Sequence, residues 1–380
     1  MRRIFWCIQN LDTLGGSEMV SISLANVLCD RYDITLVVTT KQEEETVFKI
    51  DDRIHIINLG IKPEISRLNN YVKKYKDEGK HLKAISLSIK SAFIMFFGRF
   101  HYRNVIKKLL TKEDDLLIAS SGESYLFSPK KATKIYHYHF NSLLFFSFGD
   151  QFILRHAYKP NKFVFLSKTT REVILEKRKS LSNYSTFVYN PIRYEPELNL
   201  DYHNNCITVI GRLIQQKNPL LALRIAKALM DRNIDFKMRF FGSGALREAM
   251  DKYIKNEHLE KYVEINNETT KIKEEILKSD LLLITSVHEG FSLVRGEANA
   301  LSIPVVSSNW GDTVYELIFD DINGYVIDST NPEDYADCIE KLFSDKEKLK
   351  VLKKRTYEES CKYSLNEIKK KWIDIIDSTK

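Results

Sequence analysis

The chain alternates two kinds of apolar pattern. Short runs of nearly continuous apolar residues recur in its first half as IFWCI (4–8), ITLVV (34–38), RIHII (53–57), DLLIA (115–119), KIYHYH (134–139) and KFVFLS (162–167). A second series follows: CITVIG (206–211), FKMRFFG (236–242), YVEIN (262–266), DLLLITS (280–286), IPVVSS (303–308) and GYVID (324–328). Between the runs lie stretches with helical spacing, such as EMVSISLANVL (18–28) and PLLALRIAKALM (219–230). Alternation of strand-like and helix-like segments predicts an α/β protein with parallel sheets covered by helices on both faces. The series occurs twice. YNPIRYEPELNLDYHNN (189–205), with two prolines and no periodicity, separates the copies and reads as an interdomain linker.

A chain of 380 residues also suits two domains rather than one core. The first is expected over 1–192, with a crossover helix at 364–380 where LNEIKKKWIDIID (365–377) has amphipathic spacing; the second is expected over 193–363. Five scattered cysteines without a CxxC pair fit a reducing compartment, no disulfide framework and no zinc site. The apolar run after Arg2 and Arg3 is too short for a secretory signal, and no segment approaches the length of a transmembrane helix. A cytoplasmic protein is expected.

Charge changes the picture in one respect. Residues 1–190 carry 30 Lys/Arg against 19 Asp/Glu, a net +11, and the remainder carries 28 against 32, a net −4. The densest part, 62–112, has 13 basic and 3 acidic residues, which points to an anionic partner or a solvated basic face. SIKSAFIMFFGRFHYRNVIKKLL (88–110) places an apolar core among cations and, as a helix, would either lie in an anionic bilayer interface at the inner face of the plasma membrane or pack on the sheet of the first domain. Lys73, Lys74 and Lys76 are candidate contacts to an anionic acceptor. A nucleic-acid role has no helix-turn-helix, zinc finger or aromatic RNA-binding motif behind it, so no nucleic-acid partner is expected.

Open α/β sheets bind ligands beyond the carboxyl ends of their strands. Arg212 and Lys217 follow the strand ending at Gly211. Asn218 is placed to cap the next helix and Pro219 to begin it, so two cations stand near free helix amides, a site for a diphosphate. Gly242 and Gly244 end the next strand and permit close approach of another backbone or of a ligand. In SVHEGFSLVRGE (286–297), Gly290 allows a tight turn and a helix begins near Ser292. Glu289 then faces outward, the amides of Phe291, Ser292, Leu293 and Val294 can point at an anion, and Glu297 can accept hydrogen bonds from a vicinal diol such as a ribose. In the first half, Gly15 and Gly16 follow the first strand, ahead of a helix expected to be capped by Ser17. His137 and His139 share one face of a strand end, and either can serve as a hydrogen-bond partner for a sugar hydroxyl.

These residues resemble the retaining glycosyltransferases of family 4, which have the GT-B architecture of two Rossmann-like domains facing a cleft. GGSE (15–18) is similar to the family's glycine loop. FVFLSKTTREVI (163–174) and VYNPI (188–192) resemble the end of its first domain. GRLIQQKNPLLAL (211–223) and FFGSGALREAM (240–250) resemble its donor-site strands. HEGFSLVRGEANALSIPVVSSNWGDTVYELIFDDINGYVID (288–328) resembles its long motif with two glutamates eight positions apart. The resemblance implies that Arg212 and Lys217 hold a nucleotide diphosphate, Glu289 contacts the transferred sugar, Glu297 binds the ribose and Gly16 lies beside the diphosphate. His139 or His137 would be the active-site histidine. It further implies transfer of a hexose or N-acetylhexosamine from a nucleotide-sugar, a UDP-sugar being expected, to a glycan or lipid-linked glycan in bacterial surface polysaccharide synthesis, with no cofactor and no metal; no Asp-x-Asp motif is present. The sequence departs from the family at Ser302, where a glycine is usual before the proline, and in LVRGEAN (293–299), where an apolar run is usual. A non-catalytic subunit of the same fold is the alternative.

Overall fold

The computed structural model describes residues 1–11, 15–39, 46–60, 71–72, 75, 79–121, 124–125, 128–129, 131–139 and 162–379, with backbone alone at 91–96 and 99. The chain divides into two compact units. One comprises Met1–Leu166, Thr170–Val188 and Lys369–Lys380; the other comprises Ser167–Thr169 and Tyr189–Ile368.

The first unit holds a seven-stranded sheet: β1 (Arg3–Ile8), β2 (Asp33–Val38), β3 (His55–Asn58), β4 (Leu116–Ala119), β5 (Thr133–Tyr138), β6 (Lys162–Phe165) and β7 (Ser185–Phe187), in the order β3-β2-β1-β4-β5-β6-β7. The second holds a six-stranded sheet: β8 (Cys206–Ile210), β9 (Lys237–Phe241), β10 (Val263–Asn266), β11 (Leu281–Ile284), β12 (Val305–Ser308) and β13 (Gly324–Ile327), in the order β10-β9-β8-β11-β12-β13. Every neighbouring pair is parallel. In both sheets the order reverses beside the first strand, and such a reversal opens a crevice at the strands' carboxyl ends. It falls between β1 and β4 in one unit and between β8 and β11 in the other.

The strands are where the apolar runs predict them, because a strand covered on both faces must be apolar at successive positions. Ile4 to Ile8 and Leu116 to Ala119 are all buried. β7 has no such run: it is a three-residue edge strand, half-buried throughout, and the apolar pattern does not announce it.

Helices connect the strands. They are α1 (Gly16–Leu28), α2 (His81–Leu109), α3 (Lys168–Lys177), α4 (Pro219–Asp231), α5 (Arg247–Asn256), α6 (Ile272–Leu277), α7 (Leu293–Ala300), α8 (Val314–Leu317), α9 (Pro332–Ser344), α10 (Lys346–Ser360) and α11 (Leu365–Asp377). From Lys369 onward α11 belongs to the first unit, where the fully buried Trp372 packs on Trp6 of β1 at 5.5 Å between ring centroids. Arg2 Nη1 donates to the carbonyl of Ile376 at 2.6 Å.

Four local expectations are corrected. The segment 189–205 is not a free tether: it lies on the second unit, with the Ile192 amide bonded to the Tyr363 carbonyl at 3.0 Å and the Glu197 amide to the Ala300 carbonyl at 2.6 Å. α1 is capped by Gly15, not Ser17; Ser17 stands in the first turn and donates to Glu18 Oε2. A Cβ at Gly15 would lie 2.2 Å from that same oxygen, so a larger residue there would displace the Glu18 carboxylate. Asn218 precedes α4 without a side-chain cap bond; it supplies a left-handed backbone (φ 46, ψ 51) that asparagine tolerates. In the turn expected at Gly290, the left-handed residue is Ser292 (φ 51).

Ser302 is a departure that the backbone explains. Its φ is 63, the region in which glycine is the usual residue. The serine is retained by its hydroxyl, which donates to the Glu197 carbonyl at 2.7 Å and accepts from the Asn199 amide at 3.0 Å.

Candidate functional site

The crevice beside β8 and β11 is built by two loops. The first runs from Gly211 to Asn218 between β8 and α4, and the second from Thr285 to Ser292 between β11 and α7. Hydrogen bonds join them: Thr285 Oγ1 donates to the Lys217 carbonyl at 3.0 Å, the Val287 amide to the Gln216 carbonyl at 2.9 Å, and Gln216 Nε2 to the His288 carbonyl at 3.1 Å. The loops line one pocket, with Gly211, Arg212, Lys217, Ser286 and Glu289 on its wall.

Within it Lys217 and Glu289 meet directly. Lys217 Nζ lies 2.5 Å from Glu289 Oε1, and Ser286 Oγ donates to the same oxygen at 2.7 Å. Both side chains are largely buried (23% and 9% exposed), so the pair is held by its surroundings rather than free to swing in water. Arg212 is exposed at the pocket wall. The expected cation and acid are therefore adjacent; no local pattern marks their pairing or the part played by Ser286.

Glu297 is 7% exposed, one turn into α7. Burial pushes its carboxyl pKa up, and Arg193, whose Nε lies 3.2 Å from Glu297 Oε1, pulls it down. Arg193 sits in the segment expected to be a linker and carried no motif to mark it. Phe291 is a core residue; its ring lies 6.0 Å from Tyr189 and 6.2 Å from Tyr363. Its contribution to a site is limited to its backbone. Ser292 is buried at the cap of α7 with no partner on its hydroxyl, and Leu293 is the first residue of the helix. Gly242 serves the fold: a Cβ there would lie 2.0 Å from the Gly211 carbonyl oxygen. Of the two possibilities, close approach of a backbone or of a ligand, the backbone occupies the space. Among the described residues no group of three His, Cys, Asp or Glu side chains gathers as metal ligands would.

Gly16 and His139 belong to the first unit, following β1 and β5 respectively. The structure separates the two histidines. His137 is 1% exposed inside β5, with its ring 4.9 Å from that of Trp372, and is part of the core. His139 lies just past the strand end, its ring 4.0 Å from His137. Burial lowers both pKa values, His139 to about 4 and His137 well below the ordinary imidazole value. A depressed imidazole favours folding while neutral. Its contribution is complete above about pH 6.5 and is lost as pH falls toward 4, worth about 3 kcal/mol for His139. Urea unfolding between pH 7 and 4 is expected to show a shallower loss of stability in His139→Gln than in the parent; equal slopes would mean that the imidazole titrates normally.

Residues 193–359 match the family model described as glycosyl transferases group 1. Over 386 residues the chain is 22% identical to GalNAc-α-(1→4)-GalNAc-α-(1→3)-diNAcBac-PP-undecaprenol α-1,4-N-acetyl-D-galactosaminyltransferase of Campylobacter jejuni, covering 100% of this chain and 99% of that one. It is also 22% identical over 386 residues to the amylovoran biosynthesis glycosyltransferase AmsD of Erwinia amylovora, covering 99% and 100%. Among solved structures, a mutant of S. aureus TarM in complex with Fondaparinux, α-GlcNAc-glycerol and UDP superposes with a TM-score of 0.76 at 17% identity, covering 99% of this chain and 100% of that one. Two parallel-sheet α/β units of this kind define the GT-B fold. Residues 193–359 are thus similar to the glycosyl transferases group 1, and the chain is a glycosyltransferase.

Proposed function

We propose that this enzyme transfers a hexose or N-acetylhexosamine from a UDP-sugar to a glycan or lipid-linked glycan acceptor in bacterial surface polysaccharide synthesis, with retention of anomeric configuration. The observation that carries the reading is the meeting of Lys217, Glu289 and Ser286 at the carboxyl ends of β8 and β11, beside the start of α7. A leaving diphosphate gathers negative charge as the glycosidic bond breaks. Lys217, Arg212 and the amides at the start of α7 would balance that charge without a divalent ion. Glu289 would contact the sugar, and Glu297 would accept the ribose hydroxyls. His139 and Gly16 are the candidate residues that the first unit carries. The PP-undecaprenol-linked glycan in the name of the C. jejuni relative, and the UDP in the TarM complex, support the substrate classes.

Donor hydrolysis and thermal shift across UDP-, GDP- and ADP-sugars test this reading, each with and without EDTA. One UDP-sugar is expected to raise the melting temperature and to be hydrolysed in EDTA. A panel without a responder would refute the donor assignment, and activity abolished by EDTA would refute metal independence.

Association with an anionic membrane face is part of the same proposal. α2 exposes Leu82, Ile85, Ile89, Phe97 and Phe100, with Lys83, Lys90, Arg103, Lys107 and Lys108 exposed along the same helix. The apolar side chains expected at 93–96, like Lys73, Lys74 and Lys76, lie outside the described side chains. Among the described residues no helix is long and apolar enough to cross a membrane. The protein is expected to float with anionic liposomes at low salt and to be released at high salt. Absence of flotation at low salt would count against the membrane face.

A further inference from the structure

Arg295 is placed where a cation is disfavoured twice. It is the third residue of α7, in a first turn that carries no acid, and the helix dipole there favours negative charge. It is also fully buried. The guanidinium lies between two aromatic rings, its Cζ 5.2 Å from the Phe291 centroid and 5.3 Å from that of Tyr363. Nη1 donates to Asn299 Oδ1 at 3.2 Å and to the Leu317 carbonyl at 3.3 Å. Nε and Nη2 have no partner, and among the described residues no carboxylate forms an ion pair with this arginine. A guanidinium does not shed its charge at physiological pH, so burial without a counter-charge is a standing penalty.

A second unpartnered group stands on the same turn. Ser292, at the cap of α7, is 5% exposed and its hydroxyl has no hydrogen-bond partner. A buried cation and a buried free hydroxyl at one helix start, with the amides of that start, make a region of positive potential; the Glu359 carboxylate favours the arginine's charge but is itself paired with Lys362.

We propose that Arg295 is a positioning residue for the diphosphate of the donor, its buried charge being the counter-charge that an anion at the start of α7 completes. The inference rests on the donor-site reading given above. Arg295 does not touch the ligand; it acts through the low-dielectric core around Phe291 and the first turn of α7, where charges are screened less than in water. Selectivity is the consequence: the arginine strengthens binding of a nucleoside diphosphate and leaves binding of the uncharged nucleoside alone. A purely structural arginine, held by its two aromatic rings, would instead affect stability and bind both ligands as before.

The test uses the full chain with Arg295→Met, which keeps the length and removes the charge, and Arg295→Lys, which keeps the charge. Calorimetry measures affinity for UDP, GDP and ADP and for the three matching nucleosides, and urea unfolding measures stability. Arg295→Met is expected to unfold at the parent's midpoint or above it. It should bind the preferred nucleoside diphosphate about 10- to 100-fold more weakly and the nucleoside within about twofold of the parent. Arg295→Lys should recover most of the diphosphate affinity. Unchanged diphosphate affinity in Arg295→Met, or equal losses for diphosphate and nucleoside, would overturn the proposal. Should the Met variant not fold, Arg295→Lys decides: a loss of diphosphate affinity beyond about tenfold shows that charge is not what matters. A parent protein that binds none of the nucleotides removes the donor-site reading and this inference together, whereas a parent that binds and a Met variant that binds equally well removes this inference alone.

Discussion

Lys217→Ala is expected to lower kcat by about 10²–10³-fold. The ammonium is worth most where charge grows on the departing diphosphate, and it is already desolvated beside Glu289, 2.5 Å away. The two acids should respond differently. Glu289→Ala removes the group proposed to contact the sugar and should act mainly on kcat, while freeing Lys217 from its ion pair. Glu297→Ala should act mainly on donor affinity, because ribose hydroxyls do not change in the reaction. It also frees Arg193. Donor Kd and single-turnover rate for each variant separate the roles. Proportional losses of rate and affinity in both acids would show that the division is wrong. Unchanged rate and affinity in both would make them ordinary acids near a helix start.

The second large effect concerns stability. Lys353 and Asp280 form a buried ion pair in the second unit, with Nζ 3.2 Å from Oδ1 and side-chain exposures of 2% and 0%. Asp280 also accepts from the amides of His203 at 3.0 Å and Cys206 at 3.1 Å, and Lys353 donates to the Asp201 carbonyl. The pair thereby fixes the chain as it enters β8 against α10 and the start of β11. Lys353→Ala leaves a buried carboxylate without its cation and should cost about 3–5 kcal/mol in urea unfolding. The double variant Lys353→Met, Asp280→Leu should recover part of the loss, since an apolar pair removes the desolvation cost together with the attraction. A loss under about 1 kcal/mol in Lys353→Ala would mean that water reaches Asp280.

The sequence by itself determined the sheets and the kinds of residue at their ends. Buried parallel strands need consecutive apolar residues, so among the described residues the strands at the sheet centres announce themselves; β7, short and at an edge, does not. Arg212, Lys217 and Glu289 were legible as candidates because they lie in the loops that follow apolar runs, and Glu297 because it lies one turn into the helix after the second loop. Tertiary structure alone decided what each charge meets. Lys217 and Glu289 are 72 positions apart and become a pair only when β8 and β11 lie side by side. Arg193 reaches Glu297 because 189–205 packs on the second unit, a contact that no local periodicity encodes. His137 and His139 are equivalent in strand spacing, and only the return of α11 with Trp372 assigns one to the core. Arg295 looks like a polar intrusion in the sequence; the rings of Phe291 and Tyr363, brought together from distant positions, make it a buried charge. Local pattern is set by what each residue needs from water, whereas pairing is set by which strand ends the sheet order makes neighbours.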